Sequence, residues 1–79
     1  MATSLHTPIE KYIIDVVKRK RTEIGWSQKE LAYQLDLSLG FIGDVENPKY
    51  RAKYNLNHIN ELAKIFEYSP RDFLPDKPL

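Results

Sequence analysis

Residues 27–47, SQKELAYQLDLSLGFIGDVEN, decide the fold because they predict two short helices joined by a tight turn. Ser27 opens the first helix as a capping box, in which its hydroxyl accepts from the Glu30 amide and the Glu30 carboxylate reaches back. That helix ends at Asp36, and Ser38 is the N-cap of the second helix. Neither helix reaches the roughly 12 to 15 residues at which isolated helices become marginally stable, so flanking segments must hold the pair.

The apolar residues of this pair predict one shared seam. Leu31, Ala32 and Leu35 fall on one face of the first helix, and Ile42 and Val45 repeat at a three-residue step in the second. We expect the remaining residues of the second helix to point outward and to form the candidate binding surface: Leu39, Gly40, Phe41, Gly43 and Asp44.

Length and composition favour one small domain, since 79 residues with 42% hydrophobic content suffice for a single core. The net charge of +1 hides a segregation of charge along the chain. Residues 18–21 are all basic, residues 47–60 contain no acid, and acids outnumber bases from residue 61 onward. A protein polarised in this way can bind a polyanion on one side.

Several function classes are disfavoured by what the sequence lacks. The chain has no cysteine, which excludes disulfides and thiolate metal sites. His6 and His58 do not stand with a nucleophile and a carboxylate at an interpretable spacing, so we expect no enzyme, metal or cofactor. We see no small-molecule site, secretory signal or membrane-spanning apolar run, and we expect a cytoplasmic protein without membrane partners.

The flanks of the central pair predict further helices within a domain over residues 7–75, between a loose tail at 1–6 and another at 76–79. Thr7, Pro8 and Glu10 form a capping box with proline at the first helical position. The helix that follows is expected to end near Gly25 and to face inward with Ile9, Tyr12, Ile13, Val16, Val17 and Ile24. The basic run in its last turns suits the helix dipole, and Lys18 or Lys20 is an equally good candidate for touching a polyanion.

After Asn47-Pro48 we predict an ordered loop and then a helix capped by Asn55. Ser69 and Pro70 repeat the cap-then-proline signal before a last short helix. The chain is therefore predicted to hold five helices and no strand. The inward residues of the helix after Asn55 are expected to be Leu56, Ile59, Leu62, Ala63 and Phe66.

Over roughly residues 17–74, this pattern resembles the Cro/repressor (Xre-type) helix-turn-helix family. The resemblance implies an all-α, compact five-helix lambda-repressor-like DNA-binding domain, with its third helix in the major groove. Its matching marks are Ser27-Gln28, Leu31-Ala32, Leu35, Leu37, Ser38, Ile42, Val45, Glu46-Asn47, Leu62-Ala63 and residues 69–74.

The resemblance also implies a transcriptional regulator that binds double-stranded DNA at specific sequences. Its recognition helix would span about 38–46, and the loop at 47–55 would contact the phosphate backbone. Arg21 and Glu46 stand where the family has a structural salt bridge. Leu39, Gly40 and Asp44 occupy base-reading positions. The full set of expected DNA-binding residues is Gln28, Lys29, Ser38, Leu39, Gly40, Phe41, Asp44, Asn47, Lys49, Arg51, Lys53 and Asn55.

Two departures from the family pattern keep alternatives open. Asp36 stands where the family usually has glycine, so it must adopt a positive φ or alter the turn. The base-reading positions offer no bidentate contact to guanine, which favours a protein-interaction module on the same scaffold as the alternative. A third hypothesis, residues 40–43 as the GxxG loop of a KH-type RNA binder, requires strands nearby.

A homodimer is a further expectation, because one recognition helix covers only a few base pairs. No heptad seam is visible in the sequence. Candidate contributors to a dimer surface are the N-terminal tail, Ile14 and residues 73–79.

Overall fold

The computed structural model describes residues 4–79, which form helices and connecting loops without any strand. Four α-helices, α1 to α4, span Pro8–Glu23, Gln28–Leu35, Leu39–Val45 and Leu56–Phe66, and a 3₁₀ helix follows at Pro70–Phe73. The fifth element predicted from sequence is thus a single 3₁₀ turn rather than an α-helix. It ends at once because Leu74 is already extended and Pro75 follows. Residues 1–3 of the predicted tail lie outside the described range.

Four of the five N-caps predicted from sequence accept a backbone amide through their side chain, whereas at Ser69 only the amide is engaged, donating to the Asp72 carboxylate at 2.8 Å. The Thr7 hydroxyl accepts from the Glu10 amide at 3.3 Å, and the Glu10 carboxylate accepts from the Thr7 amide at 2.9 Å. Ser27 accepts from the Glu30 amide at 3.0 Å, without the reciprocal bond of the capping box predicted there. Asn55 pairs with His58 instead of an acid, since His58 Nδ1 accepts from the Asn55 amide.

Three of the helices end in the same C-terminal capping motif. A residue in the left-handed conformation is followed by a residue whose amide donates to the carbonyl five positions earlier. Gly25, Asp36 and Glu67 have φ values of 80°, 55° and 58°. The amide after each donates to a carbonyl five residues earlier, at 2.9 Å in all three. Asp36 therefore adopts the positive φ that the sequence required of it, and the turn between α2 and α3 keeps the shape that a glycine would give.

The core is a single cluster in which α2 packs against α3 and α4, and the 3₁₀ helix packs against α1 and α4. Its fully buried large side chains are Val17, Leu31, Ile42, Val45, Leu62 and Phe73. The sequence misplaced the ends of two stripes. Ile9, Tyr12 and Ile24 are exposed on or just after α1, and Leu56 is 82% exposed at the start of α4.

The buried residues of α1 are Ile13, Ile14, Val16, Val17 and Arg21, so its buried face begins only at Ile13 and ends at Arg21. The sequence analysis named Ile14 and Phe73 as candidates for a dimer surface. Ile14 is 6% exposed and Phe73 is fully buried, so neither can contribute to one. No helix within residues 4–79 is long and apolar enough to cross a membrane.

Candidate nucleic-acid interface

The outer face of α3 is the candidate surface, and its exposure follows from the burial of Ile42 and Val45 on the opposite side. Leu39 is 50% exposed, and Gly40 and Asp44 are exposed. A Cβ added at Gly40 would meet no atom within 4 Å, so the backbone at that position is open to a close approach.

Two residues expected on this face lie elsewhere. Phe41 is only partly exposed and packs against the core, with its ring centroid 6.3 Å from that of Tyr54 and 5.2 Å from that of His58. It lies one helical turn before Val45, which places it at the edge of the buried face. Gly43 is partly buried and faces α2, since a Cβ there would lie 3.7 Å from the Gln28 side-chain oxygen.

A buried ion pair fixes α3 from behind. Arg21 Nε and Nη2 donate to the two carboxylate oxygens of Glu46, at 3.0 and 2.8 Å. Arg21 Nη1 donates to the Trp26 carbonyl at 2.8 Å, and Gln28 Nε2 donates to Glu46 Oε1 at 3.0 Å. The end of α1, the start of α2 and the end of α3 are therefore joined by one network, which we call the clamp: Arg21, Trp26, Gln28 and Glu46.

The clamp changes the expectation for Gln28, which the family resemblance offers as a phosphate contact. Its amide nitrogen is bonded to Glu46 instead, and the side chain is only partly exposed. Tyr54 is buried beside this network with 7% of its surface exposed, so its hydroxyl cannot reach a phosphate. Burial raises the pKa of Tyr54, and the negative charge of Glu46 raises it further while Arg21 lowers it.

The loop after α3 carries three exposed cations, but they are not equivalent. The Asn47 side chain accepts from the Lys49 amide at 3.0 Å and shapes the start of the loop. Lys49 and Arg51 form no ion pair within residues 4–79, whereas Lys53 Nζ lies 2.9 Å from Glu10 Oε2. The basic strip predicted from sequence is thus reduced to two cations that no carboxylate of the described chain neutralises.

The N-terminal segment crosses this loop, contrary to the loose tail predicted through residue 6. The Leu5 amide donates to the Pro48 carbonyl at 3.0 Å. His6 Nε2 lies 2.8 Å from the Ala52 carbonyl, which can only accept, so the histidine donates. The ion pair between Glu10 and Lys53 is a third contact between this end of the chain and the loop. A bond between residues 46 positions apart leaves no local signal in the sequence.

The remaining candidate residues are distributed around this surface. Lys29 is exposed on α2, while the Ser38 hydroxyl accepts from the Phe41 amide and the Asn55 side chain from the His58 amide. The two cap side chains are therefore already engaged.

The basic run at residues 18–21 is divided among different environments. Arg21 lies in the clamp, Lys20 lies 4.9 Å from the centre of the Tyr68 ring, and Arg19 lies 3.8 Å from Glu23. Lys18 is exposed and stays a candidate contact for a polyanion.

Two solved structures share this architecture. The restriction-modification controller protein C.AhdI from Aeromonas hydrophila superposes with a TM-score of 0.67 at 27% identity, over 80% of this chain and 92% of that one. The hypothetical transcription factor NHTF from Neisseria superposes with a TM-score of 0.69 at 24% identity, over 94% of this chain and 87% of that one. No protein-family model and no curated protein matches the chain. The chain has the fold of the Cro/repressor-like (Xre-type) helix-turn-helix proteins, the family that its sequence resembles.

Proposed function

We propose that the protein is a DNA-binding transcriptional regulator that places the outer face of α3 in the major groove. The observation that carries the proposal is the clamp, which holds α3 from its buried side and leaves Leu39, Gly40 and Asp44 exposed. The major groove of DNA is wide enough to admit an α-helix held in a fixed orientation. The similar structure at 27% identity supports this function, since it is named a restriction-modification controller protein, and the hypothetical transcription factor at 24% identity supports the fold.

Base recognition would depend on few contacts. The Leu39 side chain can pack against a thymine methyl group, and the Asp44 carboxylate can accept from the N4 amino group of cytosine. Gly40 lets the helix backbone approach the base edges. A surface of this kind discriminates by shape and apolar contact more than by hydrogen bonds to guanine.

Affinity would come mainly from the phosphate backbone. Lys49 and Arg51 follow α3 directly and are exposed. Cations that neutralise DNA phosphates release condensed counterions, so binding should weaken steeply as salt rises. At the N-terminus of α4 the cap already uses the Asn55 and His58 amides, which leaves those of Leu56 and Asn57 as candidates for a phosphate contact.

Selection from a random duplex library at two ionic strengths tests the proposal. A specific regulator enriches one motif at both salt concentrations, whereas a non-specific binder retains duplex without a motif and only at low salt. A variant with Lys49→Gln and Arg51→Gln is the matched control, because it keeps α3 intact while removing the phosphate contacts. Failure of the wild-type protein to retain any duplex at low salt contradicts the proposal.

A homodimer forms part of the proposal, because two half-sites one helical turn apart give useful affinity to short recognition helices. A palindromic motif in the selected library, together with a dimer mass in sedimentation, is the expected result. A single asymmetric half-site and a monomer mass would show that one copy suffices.

A protein-interaction module remains the second candidate, and one observation favours it. Leu39 on α3 and Tyr33 on α2 are apolar side chains that are 50% and 78% exposed. Exposed apolar residues of this size are typical of binding surfaces, although single ones are common. The KH-type hypothesis lacks the strands that it requires, since residues 4–79 contain none.

A further inference from the structure

The strongest unexplained contact near the proposed interface joins Glu10 of α1 to Lys53 of the loop. One oxygen of the Glu10 carboxylate accepts from the Thr7 amide at 2.9 Å, and the other lies 2.9 Å from Lys53 Nζ. The carboxylate is therefore fixed on both sides. The Lys53 hydrogen bond, followed by the Thr7 amide, holds the pKa of Glu10 below its usual value.

The environments of the two partners differ. The Glu10 side chain is 21% exposed, whereas the Lys53 side chain is 56% exposed. Lys53 can thus leave its partner and turn to solvent, but Glu10 is held by the helix cap whether or not Lys53 is present. The other loop cations, Lys49 and Arg51, have no carboxylate partner within residues 4–79.

We propose that Glu10 is an intramolecular competitor of DNA phosphate for Lys53, and that it lowers the affinity of the loop for the DNA backbone. The inference rests on the proposed function, since it assigns a regulating residue to the same surface. A carboxylate offers Lys53 the same kind of charge-assisted hydrogen bond as a phosphate oxygen. Bringing Lys53 onto DNA then requires breaking an existing pair, so this cation contributes less than its two neighbours.

The size of the effect follows from the exposure of the pair. Exposed ion pairs are weak, and the loss of one changes an equilibrium constant by at most about fivefold. The competition is therefore a modest adjustment that phosphate can overcome. It should be largest at low salt, where both the pair and the phosphate contact are least screened.

The variant Glu10→Gln tests the competition, because glutamine can still complete the capping box of α1 while the charge is removed. We expect its dissociation constant for a duplex to fall about two- to fivefold at low salt. The dependence of log K on log salt should steepen by up to about 0.9, the value of one added phosphate contact. In the double variant Glu10→Gln/Lys53→Gln the gain should disappear.

Asp15→Asn is the matched control. Asp15 also lies on α1 and is paired with a lysine, Lys11, at 2.6 Å, so the variant changes the net charge equally and leaves the pair between Glu10 and Lys53 in place. An equal gain with Asp15→Asn, or a gain that persists in the double variant, overturns the inference. A wild-type protein that binds no duplex overturns the proposed function together with this inference. Wild-type binding with no gain in Glu10→Gln overturns the inference alone.

Discussion

Arg21 and Glu46 form a bidentate ion pair, in which Nε donates to Oε2 at 3.0 Å and Nη2 donates to Oε1 at 2.8 Å. Their side chains are 9% and 3% exposed, so each charge has lost most of its hydration. Such a charge depends on its partner and on its remaining hydrogen bonds. Trp26 and Gln28 supply those bonds, which makes the clamp one unit rather than a single ion pair.

We therefore predict that Arg21→Ala or Glu46→Ala lowers the free energy of unfolding by about 3 to 5 kcal/mol, measured by urea denaturation. Arg21→Lys should recover little of this, because an ammonium cannot donate in three directions within one plane. Arg21→Met combined with Glu46→Leu should be far less damaging than either alanine variant, since no buried charge is left alone. A loss below about 1 kcal/mol in the single variants would contradict the role given to the clamp.

The turn between α2 and α3 gives a prediction of opposite sign. Asp36 has φ 55° and ψ 43°, a conformation that costs an L-residue roughly 1 to 2 kcal/mol and glycine almost nothing. A glycine at position 36 would therefore relieve strain in the folded state. Part of this stabilisation is lost because glycine is more flexible in the unfolded chain. Asp36→Gly should raise the free energy of unfolding by up to about 1 kcal/mol, or the melting temperature by up to about 8 °C.

Asp36→Val is the matched opposite change, since a β-branched side chain tolerates positive φ worst. It should lower the melting temperature, and a rise would show that the turn relaxes to another shape. DNA affinity should not fall in Asp36→Gly, because the glycine keeps the left-handed conformation and the lost carboxylate cannot repel phosphate.

How far the sequence predicted this structure depends on how local each signal is. The caps at Thr7, Ser38 and Asn55 were found because a cap joins residues only three positions apart. The inward stripes were wrong at their ends, and in the middle of α1 the stripe missed the buried Ile14. Ile24 and Leu56 have the right spacing, but they lie at or beyond a helix terminus where no neighbouring element covers them.

The same distinction applies to the candidate site. The pair between Arg21 and Glu46 was expected from the family resemblance, and the structure shows it. The bonds of Gln28 to Glu46 and of Lys53 to Glu10 were missed, because each joins segments that meet only after folding. A basic residue in a loop looks free in a sequence until the chain that crosses it is known.

Lys49 and Arg51, the loop cations without an ion pair within residues 4–79, give the third prediction. Lys49→Ala and Arg51→Ala should each weaken binding to all duplex sequences alike and reduce the salt slope by up to about one unit. Lys64→Ala is the control, because Lys64 lies outside the loop on α4 and is paired with Glu61 at 3.1 Å. Unchanged affinity in both loop variants would place the phosphate backbone elsewhere on the molecule.

The fourth prediction concerns sequence preference. Replacing Asp44 with alanine should remove the acceptor for cytosine and change the selected motif at one position, by about 1 to 3 kcal/mol of discrimination. Leu39→Ala should do the same at a neighbouring position by removing contact with a thymine methyl group. Both side chains are exposed, so stability should hardly change. An equal loss on every sequence would argue against base contacts by these residues.

Phe41 gives the last prediction, because its position on α3 and its burial point to different roles. The ring packs with those of Tyr54 and His58 at the edge of the core. Phe41→Ala should therefore lower the free energy of unfolding by about 1 to 3 kcal/mol, less than for a fully buried phenylalanine. Phe41→Leu should recover much of the stability, since most of the apolar volume is kept. If Phe41 only supports the fold, the folded Phe41→Leu variant selects the wild-type motif, and a new motif would instead assign the ring to base contact.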